Sequence, residues 1–398
     1  MFPKLRPLAA TASSLILVIA LSACSAIQTA PAPTSTAAPT ASVAAAMDSL
    51  DQRIAGLMAD GAIAATVQVR WPGGEWSHAY GVRDLDSRSA AQPSDLVQIA
   101  SVTKTMTAVA VLKLVDDHLI GLDDPVNDII PGFKDVLHPP APITVRELLG
   151  HTSGAPDFFD ALFSNPDVRP VLAVKATPRK LFELAGRLPW DPSSIGKFSY
   201  SNTGYEALGL LVATLRHKPF AQVLREEVID PVGLKDTTAE SANLGDPRTI
   251  HGYITLRGER LDVTDNAWLA GSAAGGVTST VADVNTFFAD LFQGRLLSAE
   301  SLSAMKERLS PGYTLGLWTS ADGCTGGTRF EGHGEFWSYL AVAVSSADGQ
   351  YVATLHVTPP ALPSSVEDPK SDDQRDRMQV LMQSALTEAL DRLCLRQY

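Results

Sequence analysis

The chain predicts an α/β fold of the α+β kind, a mainly antiparallel sheet flanked by helices with a mostly helical insert. Three observations predict it. Strand-like runs occur near 65–82 and return over 313–357. A helical period sets in at Ser101 and persists, between Pro and Gly breaks, to about residue 308. A long amphipathic segment closes the chain. Strands from both ends around a helical stretch imply one sheet built from two distant segments, with interleaved domains.

At the N-terminus, Lys4 and Arg6 precede an apolar run, Leu15 to Leu21 (LILVIAL), too short to span a bilayer comfortably. Leu21-Ser22-Ala23-Cys24 follows directly and resembles a bacterial lipobox. That resemblance implies a signal peptide over 1–23, cleavage before Cys24 and a diacylglycerol (with palmitate-type chains) on its sulfur. The protein would then be anchored at the extracytoplasmic face of the cell membrane. An ordinary signal peptide with an incidental cysteine is the alternative. Residues 24–46 are rich in Ala, Pro, Thr and Ser and carry no charge, so they read as a tether of roughly 25 Å as a coil.

The remainder, 47–395, reads as one domain, with the sheet from about 60–100 and 311–395 and the helical part over about 101–310. Ala65 to Trp71 alternates, Pro72-Gly73-Gly74 breaks it and Glu75 to Val82 resumes, which predicts a hairpin. Met106, Val109, Ala110, Leu112 and Val115 fit a helix from Ser101 to near Gly121. Later strands are predicted at Tyr313 to Thr319, Thr328 to Trp337, Tyr339 to Ser345 and Tyr351 to Val357, with Asp348-Gly349 as a turn. Asp372 to Leu393 forms the closing helix.

Composition narrows function. The chain of 398 residues has 45% hydrophobic and 19% charged residues, close to a globular average. Its net charge of −12 becomes −14 without Lys4 and Arg6, which argues against nucleic acid, since phosphate binding needs clustered cations. With Cys24 lipidated, Cys324 and Cys394 remain as an even pair, a candidate disulfide in an oxidising compartment. Two separate buried thiols are the alternative. No cysteine has zinc-like spacing, and neither metal nor cofactor is expected.

Ser101-Val102-Thr103-Lys104 places a hydroxyl and an amine on one helical face, beside the N–H groups of a helix start. Ser303-Ala304-Met305-Lys306 repeats the spacing, but within a polar helix (SAESLSAMKERL). Ser101 follows the apolar VQIA, and only a desolvated lysine loses its proton readily. Tyr200-Ser201-Asn202 offers a phenol for proton relay and an amide that can hold a substrate carbonyl. His333-Gly334 lies in a strand signal.

These residues together resemble the serine beta-lactamase and D-alanyl-D-alanine carboxypeptidase superfamily, in the branch that pairs Ser-x-x-Lys with Tyr-x-Asn and His-x-Gly. Residues 94–133, Ile143 to Phe158 (ITVRELLGHTSGAPDF), Phe198 to Leu211 and Ala270 to Phe288 resemble family stretches in the same order, over roughly 50–395. The resemblance implies that fold, with Ser101 as acylated nucleophile, Lys104 its partner and Tyr200 as general base and then acid. Asn202, His333, Gly334 and Phe336 would contact substrate. The Ser101 N–H and a strand N–H after His333 would form the oxyanion hole. The third motif is degenerate: Glu335 stands at a glycine position, or one residue is missing after His333. In the first register Glu335 shares the face of His333 and repels substrate carboxylates; in the second the strand bulges and Glu335 need not face the site.

The first functional reading is an envelope D-alanyl-D-alanine carboxypeptidase-like enzyme acting on peptidoglycan stem peptides. An esterase or beta-lactamase on the same site is the alternative. A non-catalytic penicillin-recognising or cell-wall-binding lipoprotein is the reading from another class.

Overall fold

The computed structural model describes residues 41–162, 177–239, 245–265, 271–363, 367–368 and 370–394. Helix α1 (Ala41–Ala59) leads into hairpin β1 (Ala64–Trp71) and β2 (Gly74–Gly81). Strand β3 (Val97–Gln98) and a 3-10 turn (Ala100–Val102) then run straight into α2 (Thr103–Asp116). Next come α3 (Phe133–Leu137), α4 (Val145–Leu149), α5 (Phe158–Leu162), α6 (Pro178–Ala185), α7 (Asn202–Arg216) and α8 (Phe220–Leu224). Short strands β4 (Tyr253–Leu256), β5 (Glu259–Asp262) and β6 (Thr278–Ser279) precede α9 (Val281–Phe292) and α10 (Ala299–Lys306). The chain closes through β7 (Trp318–Ala321), β8 (Thr328–Phe336), β9 (Tyr339–Ser345), β10 (Val352–Thr358) and α11 (Lys370–Cys394).

Six strands form one antiparallel sheet in the order β2-β1-β10-β9-β8-β7. The first hairpin joins the last strand, Ala64 opposite Thr358 through Arg70 opposite Val352, so the sheet is made from both ends of the chain. One face buries Val67, Val69, Leu340, Val342, Val344 and Leu355 against Leu50 and Ile54 of α1 and Met382, Leu386 and Leu390 of α11. The other packs on α9 and the α2 region. Strands β9 and β10 are buried along their whole length, which is why their sequences are nearly continuous apolar runs. Some polar residues inside are satisfied in place: Asn285 of α9 donates to Gln68 Oε1 at 3.0 Å and accepts from Thr354 at 2.7 Å.

Two expectations are corrected and a third gains a detail. The tether cannot run to residue 46, because α1 starts at Ala41 and buries Ala46. Alanine is the strongest helix former, and a composition-based reading of Ala, Ser and Thr hid that. The strand expected at Tyr313 to Thr319 begins only at Trp318, since Gly316 adopts φ 87 and packs against Ala108. The stretch over 101–310 also contains a hairpin, β4–β5, turned by Arg257 and Gly258 at φ 53 and 80. The segment with Lys4, Arg6 and Cys24 lies outside the described residues. Among the described residues, no helix is long and apolar enough to cross a membrane.

Cys324, in the β7–β8 connection, is disulfide-bonded to Cys394 at the end of α11, with Cα atoms 5.7 Å apart. Beside it the buried Arg329 pairs with Asp322 at 3.0 Å and Asp391 at 2.5 Å. The bridge closes a loop of 70 residues. Replacing both cysteines by serine is expected to lower unfolding free energy by about 4 kcal/mol from lost loop-closure restraint. Urea titration of the oxidised protein and the double variant measures it; a difference below about 1 kcal/mol would show that the restraint adds little.

Candidate active site

Strand β3 pairs with β6 and delivers the chain to the 3-10 turn. Ala100 sits at φ 44, a left-handed conformation that costs energy for any residue with a Cβ. This kink presents Ser101 at the edge of a cleft, one turn ahead of Lys104. The lysine is only 2% exposed, and its Nζ lies 3.0 Å from Ser101 Oγ, 2.7 Å from Asn202 Oδ1 and 2.7 Å from the Ala274 carbonyl. The last two oxygens can only accept. A neutral amine has two N–H bonds for them and a lone pair left for the serine hydroxyl. Burial brings Lys104 down to about 7, against the opposing pull of Asp157 and Glu206. The two carboxyls are themselves pushed up by burial.

Asn202 opens α7, and its orientation is fixed by Asp157, which accepts from Asn202 Nδ2 at 2.8 Å and from its backbone N–H at 3.0 Å. Ser201 caps the helix by accepting from Gly204 N–H, and its own N–H donates to His151 Nδ1 at 3.1 Å. His151 is buried directly after α4 at φ 55, its ring 4.2 Å from that of Tyr200. Burial, and then the nearby Lys104, hold it well below the ordinary histidine range, so it is neutral. Tyr200 hydrogen-bonds Ser101, yet burial and the neighbouring Tyr313 raise its phenol well above the ordinary value.

Strand β8 forms the opposite wall. β7 pairs only with Thr328 to Glu331, so the outer edge of 332–336 is open. A Cβ on Gly334 would lie 2.2 Å from the Ile99 carbonyl and 3.2 Å from Ser101 N, so glycine is what lets this strand approach the Ser101 turn. His333 Nε2 is 2.7 Å from Glu331 Oε2, and the Glu331 carboxylate, fully buried, also accepts from Gln383 at 2.8 Å and from Ser320. The β8–β9 register is regular from Phe330 to Phe336, and the two-residue turn Trp337-Ser338 follows with Trp337 at φ 40. There is no bulge, and Glu335 shares the face of His333, as in the first of the two registers. Its carboxylate is not a lone charge, however: Arg375 of α11 donates to it at 3.2 Å. The expectation of simple repulsion by Glu335 is corrected to that extent.

The cleft measures about 500 Å³ and is lined by Ser101, Tyr200, Asn202, Trp318, His333 and Phe336, among others. Ser101, Lys104, Tyr200, Asn202, His333, Gly334 and Phe336 therefore converge. Ser303 is on the exposed side of α10 and takes no part. Sequence reasoning missed His151, Asp157, Glu206 and Arg375. Two of them stood in the stretch ending HTSGAPDF, and Glu206 is a lone acid in the apolar run YEALGLL, a signal that a buried partner exists.

Comparisons with known proteins place the fold in a family. Residues 50–342 match the Beta-lactamase family. The chain is 26% identical to Penicillin-binding protein 4* of Bacillus subtilis over 60% of its own length and 55% of that protein's, so it spans about half the length of that curated relative. A D-stereospecific amidohydrolase from Streptomyces sp. superposes with a TM-score of 0.69 at 27% identity, covering 82% of this chain and 98% of that one. The D-amino acid amidase of Ochrobactrum anthropi SV3 shares the fold, with a TM-score of 0.72 at 22% identity over 89% of this chain and 100% of that one. Matched to the family over residues 50–342, most of its length, the chain belongs to the Beta-lactamase family.

Proposed function

We propose that the protein hydrolyses an amide or ester by acylating Ser101. Neutral Lys104 takes the Ser101 proton as Oγ adds to the substrate carbonyl. The Ser101 N–H, with an N–H from the open edge of β8, stabilises the oxyanion. Tyr200, a neutral phenol hydrogen-bonded to Ser101, passes a proton to the departing amine or alcohol while the proton from Ser101 replaces it through Lys104. Water then attacks the acyl-enzyme by the same route in reverse. Asn202 holds both Lys104 and the substrate amide. The arrangement at Lys104 carries this reading: two of its three partners can only accept, so in the neutral amine its two N–H bonds go to them and its lone pair is left for the third, Ser101. The raised phenol of Tyr200 supports lysine, over the tyrosine of the sequence reading, as first proton acceptor.

The likeness to an amidohydrolase supports amide or ester substrates, and the likeness to a penicillin-binding protein supports a D-alanyl-D-alanine peptide or a beta-lactam as the second reading. Intact mass after incubation with a neutral nitrophenyl ester, a D-Ala-D-Ala peptide and a penicillin decides between them. An acyl adduct from the ester and none from the peptide fits the first reading; the converse fits the second; no adduct from any of the three removes both.

Below about pH 7 Lys104 is protonated and cannot accept, so kcat/KM for a neutral ester is expected to rise with unit slope toward a plateau above pH 7. A flat profile from pH 5 to 9 would remove Lys104 as base.

The Cys24 anchor is a separate proposal, supported by the lipobox sequence and the uncharged segment behind it. Cys24→Ser is expected to release the protein or leave an uncleaved precursor in membrane fractionation. A wild-type mature N-terminus that begins elsewhere and carries no acyl mass would sink it.

A further inference from the structure

The charges around the cleft are unequal. Glu335 and Asp372 line it near α11 and Asp160 lines it from α5, against one arginine, Arg375. That guanidinium is 2% exposed and is shared between Glu335 and Asp372. The other basic side chains are engaged as well. Lys104 is held among Ser101, Asn202 and Ala274, and His333 is hydrogen-bonded to Glu331. Among the described residues, a substrate carboxylate therefore meets no cation without a carboxylate or carbonyl of its own. A substrate cation is in the opposite position. Arg375 Nε binds Glu335 Oε1, and no described donor reaches Oε2, which keeps its acceptor capacity.

Glu335 is also close to the chemistry. Gly334 abuts the Ser101 N–H, and the next Cα along an extended strand is about 3.8 Å further on. The side chain leans toward α11, where the same cleft continues past Asp372 and Gln379. Ser101 and Glu335 line the same cleft, so a substrate with its carbonyl at Ser101 can extend a substituent toward Glu335.

We propose that Glu335 is a specificity-determining residue that accepts a primary ammonium on the acyl part of the substrate, so that the substrates are aminoacyl amides or esters with an unblocked amino group. This deepens the serine amide or ester hydrolase reading and rests on it. Arg375 is the positioning residue: it fixes Oε1 and leaves Oε2 without a donor among the described residues. Burial raises the Glu335 carboxyl to about 7, with Arg375 opposing and Asp376 and Asp372 adding to the rise. An arriving ammonium supplies a second countercharge and favours the ionised form.

The test is a series with one leaving group and three acyl charges: alanine 4-nitroanilide (both enantiomers), propionyl 4-nitroanilide and succinyl 4-nitroanilide. Each kcat/KM is divided by that compound's uncatalysed hydrolysis rate at the assay pH, which removes the intrinsic activation by the ammonium. Wild type is expected to prefer the better alanine enantiomer over propionyl by about tenfold or more, with succinyl slowest. Glu335→Gln should collapse that preference and Glu335→Asp should retain part of it. Should the variants fail to fold, N-acetylalanine 4-nitroanilide with wild type serves instead, and acetylation should remove the advantage. Propionyl turned over as well as alanine, or a preference unchanged in Glu335→Gln, overturns the inference and leaves the hydrolase reading intact. No acylation by any anilide or by a neutral nitrophenyl ester overturns both.

Discussion

Ser101→Ala is expected to abolish covalent labelling and to lower turnover by on the order of 10⁵-fold, because no other group can carry the acyl intermediate. Ser303→Ala should change neither. The two serines stand in the same Ser-x-x-Lys spacing, so the pair isolates what surroundings add. Lys104 is buried and hydrogen-bonded to Ser101, whereas Lys306 donates to the Ala347 carbonyl and leaves Ser303 facing solvent. Intact mass with a neutral ester, read beside the far-UV spectrum of each variant, checks both expectations. An adduct of equal yield on the Ser101→Ala protein would transfer the nucleophile to another residue. The alanine variant should keep its stability, since the Ser101 hydroxyl is half-buried and caps nothing in the helix.

The Ser101–Lys104 pair was legible because its geometry is local. A serine and lysine three apart share a helical face whatever the rest of the chain does, and the apolar VQIA before them announced burial. The sheet was legible for a similar reason: β1, β9 and β10 are largely apolar runs, and Pro-Gly-Gly and Asp-Gly turns follow β1 and β9. Other features depend on partners far away in sequence. Glu335 meets Arg375 across 40 residues, and nothing near Glu335 foretells that pairing. His151 reaches Ser201 across 50 residues, which is why it stood as one histidine among eight. The relative proton affinities of Lys104 and Tyr200 are likewise set by packing. Tyr313 reaches the phenol from a loop that the sequence presented as strand, and its proximity helps to raise Tyr200 while burial lowers the amine. Helix α1 escaped notice because alanine serves both linkers and helices, and only packing on the sheet distinguishes them.

Lys104→Met should slow acylation by about 10²–10⁴-fold, the range that a positioned general base supplies, and should erase the limb near pH 7. Methionine fills the same volume with a flexible, apolar chain, so the substitution removes the amine without opening a large cavity. Its effect on stability has a definite pH signature. Asp157 and Glu206 are raised by burial and held down in part by Lys104. Without the cation their folded-state affinities for protons rise further. A carboxyl raised in the folded state contributes stability below its unfolded value and loses it as pH climbs through the folded one. The melting temperature of Lys104→Met should therefore fall away from that of wild type as pH goes from 5 to 8, with the smallest gap at the acid end. A gap that is constant with pH would mean that the two carboxyls do not sense the amine. Acylation within tenfold of wild type would make Tyr200 sufficient as base, despite the burial that opposes its ionisation, and the roles of the two residues would exchange.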